Sequence, residues 1–308
     1  MNNISGAGIS VIVPAYRAAG TIGRALASVA DQTLRPLEVI VVDDGSDDGT
    51  LEAAKSSAGL LGDIRLTVLH QYHGGAGAPR NRAIMEAAGH YVAFLDADDE
   101  WLPAKLERSL PYFDDPAIVL VAHNNLHAEA GAERLNDAAS RFRAAPISFV
   151  GLYRKGFIGT CTVVAKREAV LSAGGLDPEL KTAQDFDLWL AMLADPANRF
   201  VVFDEALSRY HVTEGNITSH TARRLACGQI IAERHAAALK HYPGSMLVSL
   251  AFRNAAIFNE ARAVYMSRCR YGLAIWTMAR MPFALLKSLS VVLLGRNIHP
   301  RRDYLQPG

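Results

Sequence analysis

A chain of 308 residues that is 50% hydrophobic and 20% charged can bury a large core as one large domain or two smaller ones, which excludes a disordered or fibrous protein. Lys plus Arg number 32 against 31 Asp plus Glu, so there is no global basic excess and nucleic acid is not an expected partner. The three cysteines, Cys161, Cys227 and Cys269, lie far apart, form neither a metal-ligand spacing nor a disulfide framework, and favour a reducing, cytoplasmic setting.

Residues 1–8 are short and polar and run directly into an apolar stretch, without the cationic segment and apolar core of a signal peptide. Strand-like runs at 9–13, 37–42, 64–69 and 91–95 then alternate with helical patterns at 21–30, 48–57 and 78–88. Such alternation predicts an α/β fold with a mostly parallel central sheet flanked by helices. The carboxyl ends of its strands share one edge, outside which ligands of open sheets bind. Four polar loops fall there: Pro14-Ala15-Tyr16, Asp43-Asp44-Gly45-Ser46, residues 70–77 and Asp96-Ala97-Asp98-Asp99.

From 104 to 220 the pattern is less regular. It predicts a helix near 105–113, a strand at 118–122, a polar stretch at 129–145, a strand at 160–165 and a helix from 166. A Gly174-Gly175 break, a helix over 185–194 and a strand over 200–210 complete it. Residues 221–308 read as a helical extension. Its segment 281–294 is apolar but contains Lys287 and follows Arg280, so it lacks an uninterrupted span of about 20 apolar residues. It reads either as a helix packed on the body or as one lying on a membrane surface, and the extension is also a place for self-association. The expected divisions are 1–103, 104–220 and 221–308.

The chemistry concentrates at Asp96-Ala97-Asp98-Asp99. Two unit charges about 5 Å apart at an effective dielectric of about 20 repel by roughly 3 kcal/mol, so grouped carboxylates seldom ionise fully without a cation among them. Oxygen ligands suit Mg²⁺ or Mn²⁺, and a site with few protein carboxylates leaves positions for substrate phosphates. Asp99 has a second reading, as the N-cap acid of a helix with Pro103 in its first turn. At the second loop, Asp43 or Asp44 can accept from a nucleobase N–H or a ribose hydroxyl, although turn chemistry explains acids there equally well. Gly74-Gly75-Ala76-Gly77 lacks the dinucleotide-binding spacing, which argues against a dehydrogenase. Arg80 and Arg82 follow it, with Arg80 beside the expected site.

Taken together, residues 10–16, 28–33, 38–50, 77–84 and 94–99 resemble, in order and spacing, the inverting glycosyltransferases of family 2, which have the GT-A fold. The resemblance is strong over 9–105, looser to about 220 and absent from the helical extension. It implies an enzyme moving a sugar from a nucleotide-diphosphate donor, with Mn²⁺ or Mg²⁺, to a glycan or lipid-linked acceptor, as in cell-envelope polysaccharide synthesis. That work belongs in the cytoplasm or at the inner face of the membrane. By the same resemblance Asp44 contacts the base, Asp96 lies near the ribose or the metal's waters, and Asp98 ligates the metal. Pro14, Ala15, Tyr16 and Arg80 line the donor site.

An inverting transfer needs a carboxylate to take the acceptor hydroxyl proton. Gln184-Asp185-Phe186-Asp187-Leu188-Trp189 resembles the family's segment that carries this base, with Asp185 the candidate, Asp187 in reserve and Trp189 either an acceptor-pocket wall or core. A helix cap is the other reading of Asp185. Arg209 and His211 share a strand face and can meet the diphosphate, and some family members hold a His near this position beside the metal. Two further readings are a sugar nucleotidyltransferase, whose glycine- and arginine-rich loop residues 14–20 do not supply, and a noncatalytic nucleotide-sugar-binding protein.

Overall fold

The computed structural model describes residues 8–129, 131–211, 221–242, 244, 246–295 and 299–305. Nine strands form one mixed sheet: β1 (Ile9–Ala15), β2 (Glu38–Asp43), β3 (Arg65–His70), β4 (Tyr91–Phe94), β5 (Glu100–Trp101), β6 (Ile118–Glu129), β7 (Ala132–Asn136), β8 (Val164–Lys166) and β9 (Arg199–His211). The order is β3-β2-β1-β4-β8-β6-β9-β5, with β7 paired to β6. The first four strands are parallel, β8 is antiparallel to both β4 and β6, and β5 is antiparallel to β9. Strand order reverses between β1 and β4, so a crevice opens outside the carboxyl ends of these two strands, between Tyr16 and Asp96.

The helices are α1 (Ile22–Ala30), α2 (Thr50–Ser56), α3 (Ala58–Leu61), α4 (Gly77–Glu86), α5 (Lys105–Ser109), α6 (Ala138–Arg143), α7 (Ser148–Arg154), α8 (Arg167–Ser172), α9 (Gln184–Met192), α10 (Thr221–His235), α11 (Met246–Ser267) and α12 (Tyr271–Leu293). They cover both faces of the sheet. Ile9, Val11 and Val13 of β1 pack into one apolar cluster with Ile22, Leu26 and Val29 of α1, while Ile12 points into the opposite cluster with Ile84 and Trp189. Both clusters use β1 because side chains alternate along a strand, and a strand covered on both faces is apolar throughout.

Two local expectations differ from the structure, and Trp189 follows one of its two open readings. Asp99 is not a helix cap: Glu100 and Trp101 leave as β5, and α5 begins only at Lys105, after Ala104. The reason is that the Asp99 carboxylate faces inward, where its Oδ1 accepts the backbone N–H of His211 at 3.0 Å. The strand expected at 118–122 continues to Glu129 and folds back as β7, so the polar stretch supplies a hairpin and α6. Trp189 is core, 1% exposed and edge-on to Phe94 at 5.5 Å between ring centroids.

Helix α9 joins the sheet to the C-terminal segment through Asp187, the reserve candidate for the base, which is fully buried. His235 Nε2 lies 2.8 Å from its Oδ1, Arg234 Nη1 donates to Oδ2 at 2.9 Å, and Arg301 also pairs with it. Burial pushes this carboxyl up, but the His235 hydrogen bond and the charges of His235, Arg301 and Arg234 outweigh burial and hold it below its usual range. These partners make Asp187 a structural anchor. Its contribution to stability is complete above the unfolded carboxyl value of about 3.9 and is lost as pH falls through the lower folded value. Asp187→Asn leaves two guanidinium groups short of an anion, and urea unfolding at neutral pH should show a loss on the order of 3 kcal/mol. The loss should shrink in acid, where the wild-type carboxyl is protonated too.

Candidate active site

At the β1–β3 end of the crevice, Asp44 is 2% exposed and orders the loop after β3. Its Oδ1 accepts from Gln71 Nε2 at 2.7 Å and Gly74 N at 2.9 Å, and its Oδ2 from Gly75 N at 3.0 Å, with His73 Nδ1 2.8 Å away. These donors fill its acceptor positions, so a direct contact with a base N–H requires one of them to yield. Gln71 and His73 carry no sequence signal for this job. Gly74 is needed there because a Cβ would lie 2.8 Å from the Ala78 side chain. In front of the loop stands Tyr16, 45% exposed, its ring centroid 4.4 Å from that of His73. Pro14 and Ala15 end β1 beneath it, and Asp44 N donates to the Ala15 carbonyl at 2.8 Å.

The acidic cluster divides into three environments. Asp96 pairs with Arg80 of α4, which is buried, not solvated, and whose Nη1 also donates to the Ala76 carbonyl at 2.7 Å. Asp99 is fully buried. Burial, then the charges of Asp96 and Asp98, push its carboxyl far above the usual range, and its Oδ2 has no hydrogen-bond partner. Asp98 is half-buried, and no side chain among the described residues donates to its carboxylate. Burial and the Asp96 charge raise it, against weaker opposing fields from Arg24 and Arg80. Arg24 reaches only the Asp98 carbonyl, at 2.5 Å.

His211 stands on the far side of this cluster. Its Nε2 is 2.8 Å from Glu100 Oε1, and its backbone is held by Asp99. Arg209, opposite Glu100 in the β5–β9 register, donates instead to Glu133 of β7 at 2.7 Å. Among the described residues no three His, Cys, Asp or Glu side chains close around one point. The donor set that fits a hard cation is the carboxylate of Asp98 with the free oxygen of Asp96, which leaves most coordination positions to phosphate and water, as Mg²⁺ and Mn²⁺ sites commonly do.

Asp185 approaches from the other half. It lies in the first turn of α9, after Ala183 at φ 60°, and its Oδ1 accepts the backbone N–H of Phe186 in that turn at 2.8 Å. Its Oδ2 accepts from Thr160 Oγ1 at 2.6 Å. Two links tie it to the acidic edge. Thr160 opens a short turn whose Cys161 carbonyl accepts from Trp101 Nε1 at 2.9 Å, two residues beyond Asp99. The adjacent Gln184 packs on Gly77, where a Cβ would meet its Nε2 at 3.2 Å, and Gly77 begins the helix that carries Arg80. Asp185 and Asp187 are two residues apart, so they leave α9 on different sides, one toward Thr160 and one toward the C-terminal segment.

Residues 10–169 match the family model described as glycosyl transferase family 2. The putative teichuronic acid biosynthesis glycosyltransferase TuaG of Bacillus subtilis is 31% identical over 69% of this chain and 82% of its own length. A glucosyltransferase of Escherichia coli named for UDP-Glc and α-D-GlcNAc-diphosphoundecaprenol is 30% identical over 70% and 82%. The chain belongs to glycosyltransferase family 2 and is a glycosyltransferase. Among solved structures, residues 1–349 of S. aureus TarS with UDP-GlcNAc superpose with a TM-score of 0.59 at 20% identity, covering 94% of this chain and 92% of that one. A mannosyltransferase of Pyrobaculum calidifontis with GDP-Man and Mn²⁺ gives 0.58 at 21% identity, covering 94% and 87%. The fold is therefore GT-A.

Because Asp98 is raised, its ionised form is disfavoured by the fold. Stability falls as pH rises from the unfolded carboxyl value of about 3.9 through the higher folded value, and stays lowered above it. Asp98→Asn should therefore raise the melting temperature of the chain in EDTA at pH 7.5 by a degree or two, with no gain at a pH below both values. Thermal melts of the two proteins across pH check this.

Proposed function

We propose that the protein is a metal-dependent inverting glycosyltransferase that transfers a sugar from a nucleoside-diphosphate donor to a hydroxyl of a lipid-linked glycan in cell-envelope polysaccharide assembly. The observation that carries this reading is the inequality of the acids at the crevice. Asp96 is paired with Arg80, Asp99 is turned inward onto the His211 N–H, and Asp98 stands half-buried with no side chain among the described residues donating to its carboxylate. Asp98, helped by Asp96, holds Mn²⁺ or Mg²⁺. Held there, the cation would supply charge neutralisation for the departing nucleoside diphosphate.

The base of the nucleotide lies against Tyr16 beside His73, with Asp44 behind the loop, and Arg80 holds Asp96 in position for the ribose. Asp185 takes the proton of the acceptor hydroxyl as that oxygen attacks the anomeric carbon opposite the leaving group. Thr160 Oγ1 and the Phe186 N–H each donate to one of its oxygens, which fixes the carboxylate while each oxygen keeps a second lone pair for the hydroxyl proton. His211 and Arg209, at the end of β9, serve the diphosphate side. The E. coli relative named for a diphosphoundecaprenol acceptor supports a lipid-linked substrate and work at the inner face of the membrane. The relative named for teichuronic acid biosynthesis supports an envelope polysaccharide product.

A thermal-shift series with nucleoside diphosphates and nucleotide sugars, with and without Mn²⁺, identifies the donor class, since a ligand of the folded state raises its melting temperature. With that donor, Asp185→Asn should lower transfer by about 10²-fold or more while keeping the Mn²⁺-dependent shift. Asp98→Ala should lose both. Full transfer by both variants would overturn the assignment, and pyrophosphate release from a nucleoside triphosphate and a sugar phosphate would redirect it to nucleotidyl transfer.

A further inference from the structure

Helix α12 buries only a narrow stripe. Ala274, Thr277, Ser288 and Val291 face the body of the protein, while Leu289 and Val292 pack against Ala232, Leu250 and Ile257. The opposite side of the helix is apolar and open. Ile275 is 72% exposed, Trp276 62%, Phe283 74% and Leu286 64%. At 100° per residue these four side chains fall within one outward sector, and Arg280 and Lys287, seven residues apart, fall together on a single flank of it. An exposed row of large apolar groups on this scale marks a contact surface.

Charge selects the partner. No acidic residue occurs between Glu260 and Asp303, whereas Arg262, Arg268, Arg270, Arg280 and Lys287 do. Two copies packed face to face through α12 would bring the same cations together with no carboxylate of that stretch to pair them. Among the described residues no helix is long and apolar enough to cross a membrane. A helix of 23 residues with one apolar face, a tryptophan near its start and cations on its flank matches an element lying in the plane of a lipid surface.

We propose that α12 docks the protein onto an anionic lipid bilayer, with Ile275, Trp276, Phe283 and Leu286 entering the headgroup boundary and Arg280 and Lys287 reaching the lipid phosphates. This surface is separate from the crevice that takes the donor. It brings the enzyme to the plane in which a lipid-linked acceptor resides, and its test uses neither donor nor acceptor, so it fails or stands independently of the transfer reaction.

The full chain is floated with phosphatidylcholine vesicles containing about 30 mol% phosphatidylglycerol and with phosphatidylcholine alone. Trp101 and Trp189 are buried, so a blue shift and gain of tryptophan emission on mixing reports Trp276. Binding to the anionic vesicles alone, a tryptophan shift absent in Trp276→Phe, and roughly tenfold weaker partitioning at about 0.5 M NaCl support the proposal. So does a similar loss in the Arg280→Glu, Lys287→Glu double variant with unchanged melting temperature. Failure of the wild-type chain to float with anionic vesicles overturns it. So does equal binding to neutral vesicles and by the double variant, or a dimer in solution whose Trp276 emission is already shifted without lipid.

Discussion

Three carboxylates at the carboxyl end of one strand cannot all be charged and unpaired, and the architecture around β4 is arranged to meet that constraint. Arg80 is delivered to Asp96 by α4, whose start is fixed by the glycine-rich loop that Asp44 holds. Asp99 is turned into the protein, and its carboxyl accepts the last backbone N–H of β9. The remaining charge, on Asp98, stays at the mouth. Asp96 and Asp99 are thus held by the fold, and Asp98, whose ionised form burial and the Asp96 charge disfavour, is the acid left at the mouth.

The same division of labour recurs on α9. A helix that presents Asp185 toward Thr160 and Asp187 toward Arg234, His235 and Arg301 has one side in the crevice and one in the tertiary frame. Asp177 extends the frame: it accepts from Arg234 Nη2 at 2.8 Å and from the Tyr304 hydroxyl at 2.9 Å. The C-terminal segment is thus tied by buried ion pairs to the helix that orients Asp185. Buried pairs of this kind add little net stability compared with apolar packing, yet they penalise any arrangement that breaks them. Their value lies in fixing where α9 sits against α4.

The donor half was legible because its signals are local. Strand runs at 9–13, 37–42, 64–69 and 91–95 lie within a residue or two of β1 to β4, since an apolar run bounded by Gly, Asp and Pro has few other outcomes. The crowding of Asp96, Asp98 and Asp99 marked the loop, while the separate part expected of Asp98 rested on the family resemblance. What escaped the sequence depends on partners distant along the chain. Thr160 is an ordinary residue until the turn after Gly159 brings it to Asp185, and Asp99 read as a cap because its partner, the N–H of His211, is 112 residues away. Helix α7 went unread although Phe149, Val150, Leu152 and Tyr153 are buried, because its near-continuous apolar run shows no distinct helical face. Asp187 and Asp185 look alike in sequence, and only the positions of α10 and the C-terminal segment separate them.

Behind the acidic edge the interior holds other ionisable groups whose charged forms burial disfavours. Burial pushes His123 down to about 3 and Lys105 down to about 7, the latter with its Nζ 4.0 Å from the Trp101 ring centre and no hydrogen-bond partner. Burial, then the Asp99 charge, push the Cys161 thiol far up. Burial disfavours the charged forms of Asp99, Cys161 and His123 alike, so this layer offers few counter-charges to what stands at its surface. The field of Asp98 is consequently stronger than that of a carboxylate at an open loop, because the medium beneath it has a low dielectric constant. Lys105, pushed down to about 7, is charged in part at neutral pH, and a permanently charged side chain in its place would fix a cation in this layer without a partner. The apolar character of the layer therefore belongs to the electrostatics of the crevice as much as the acids do.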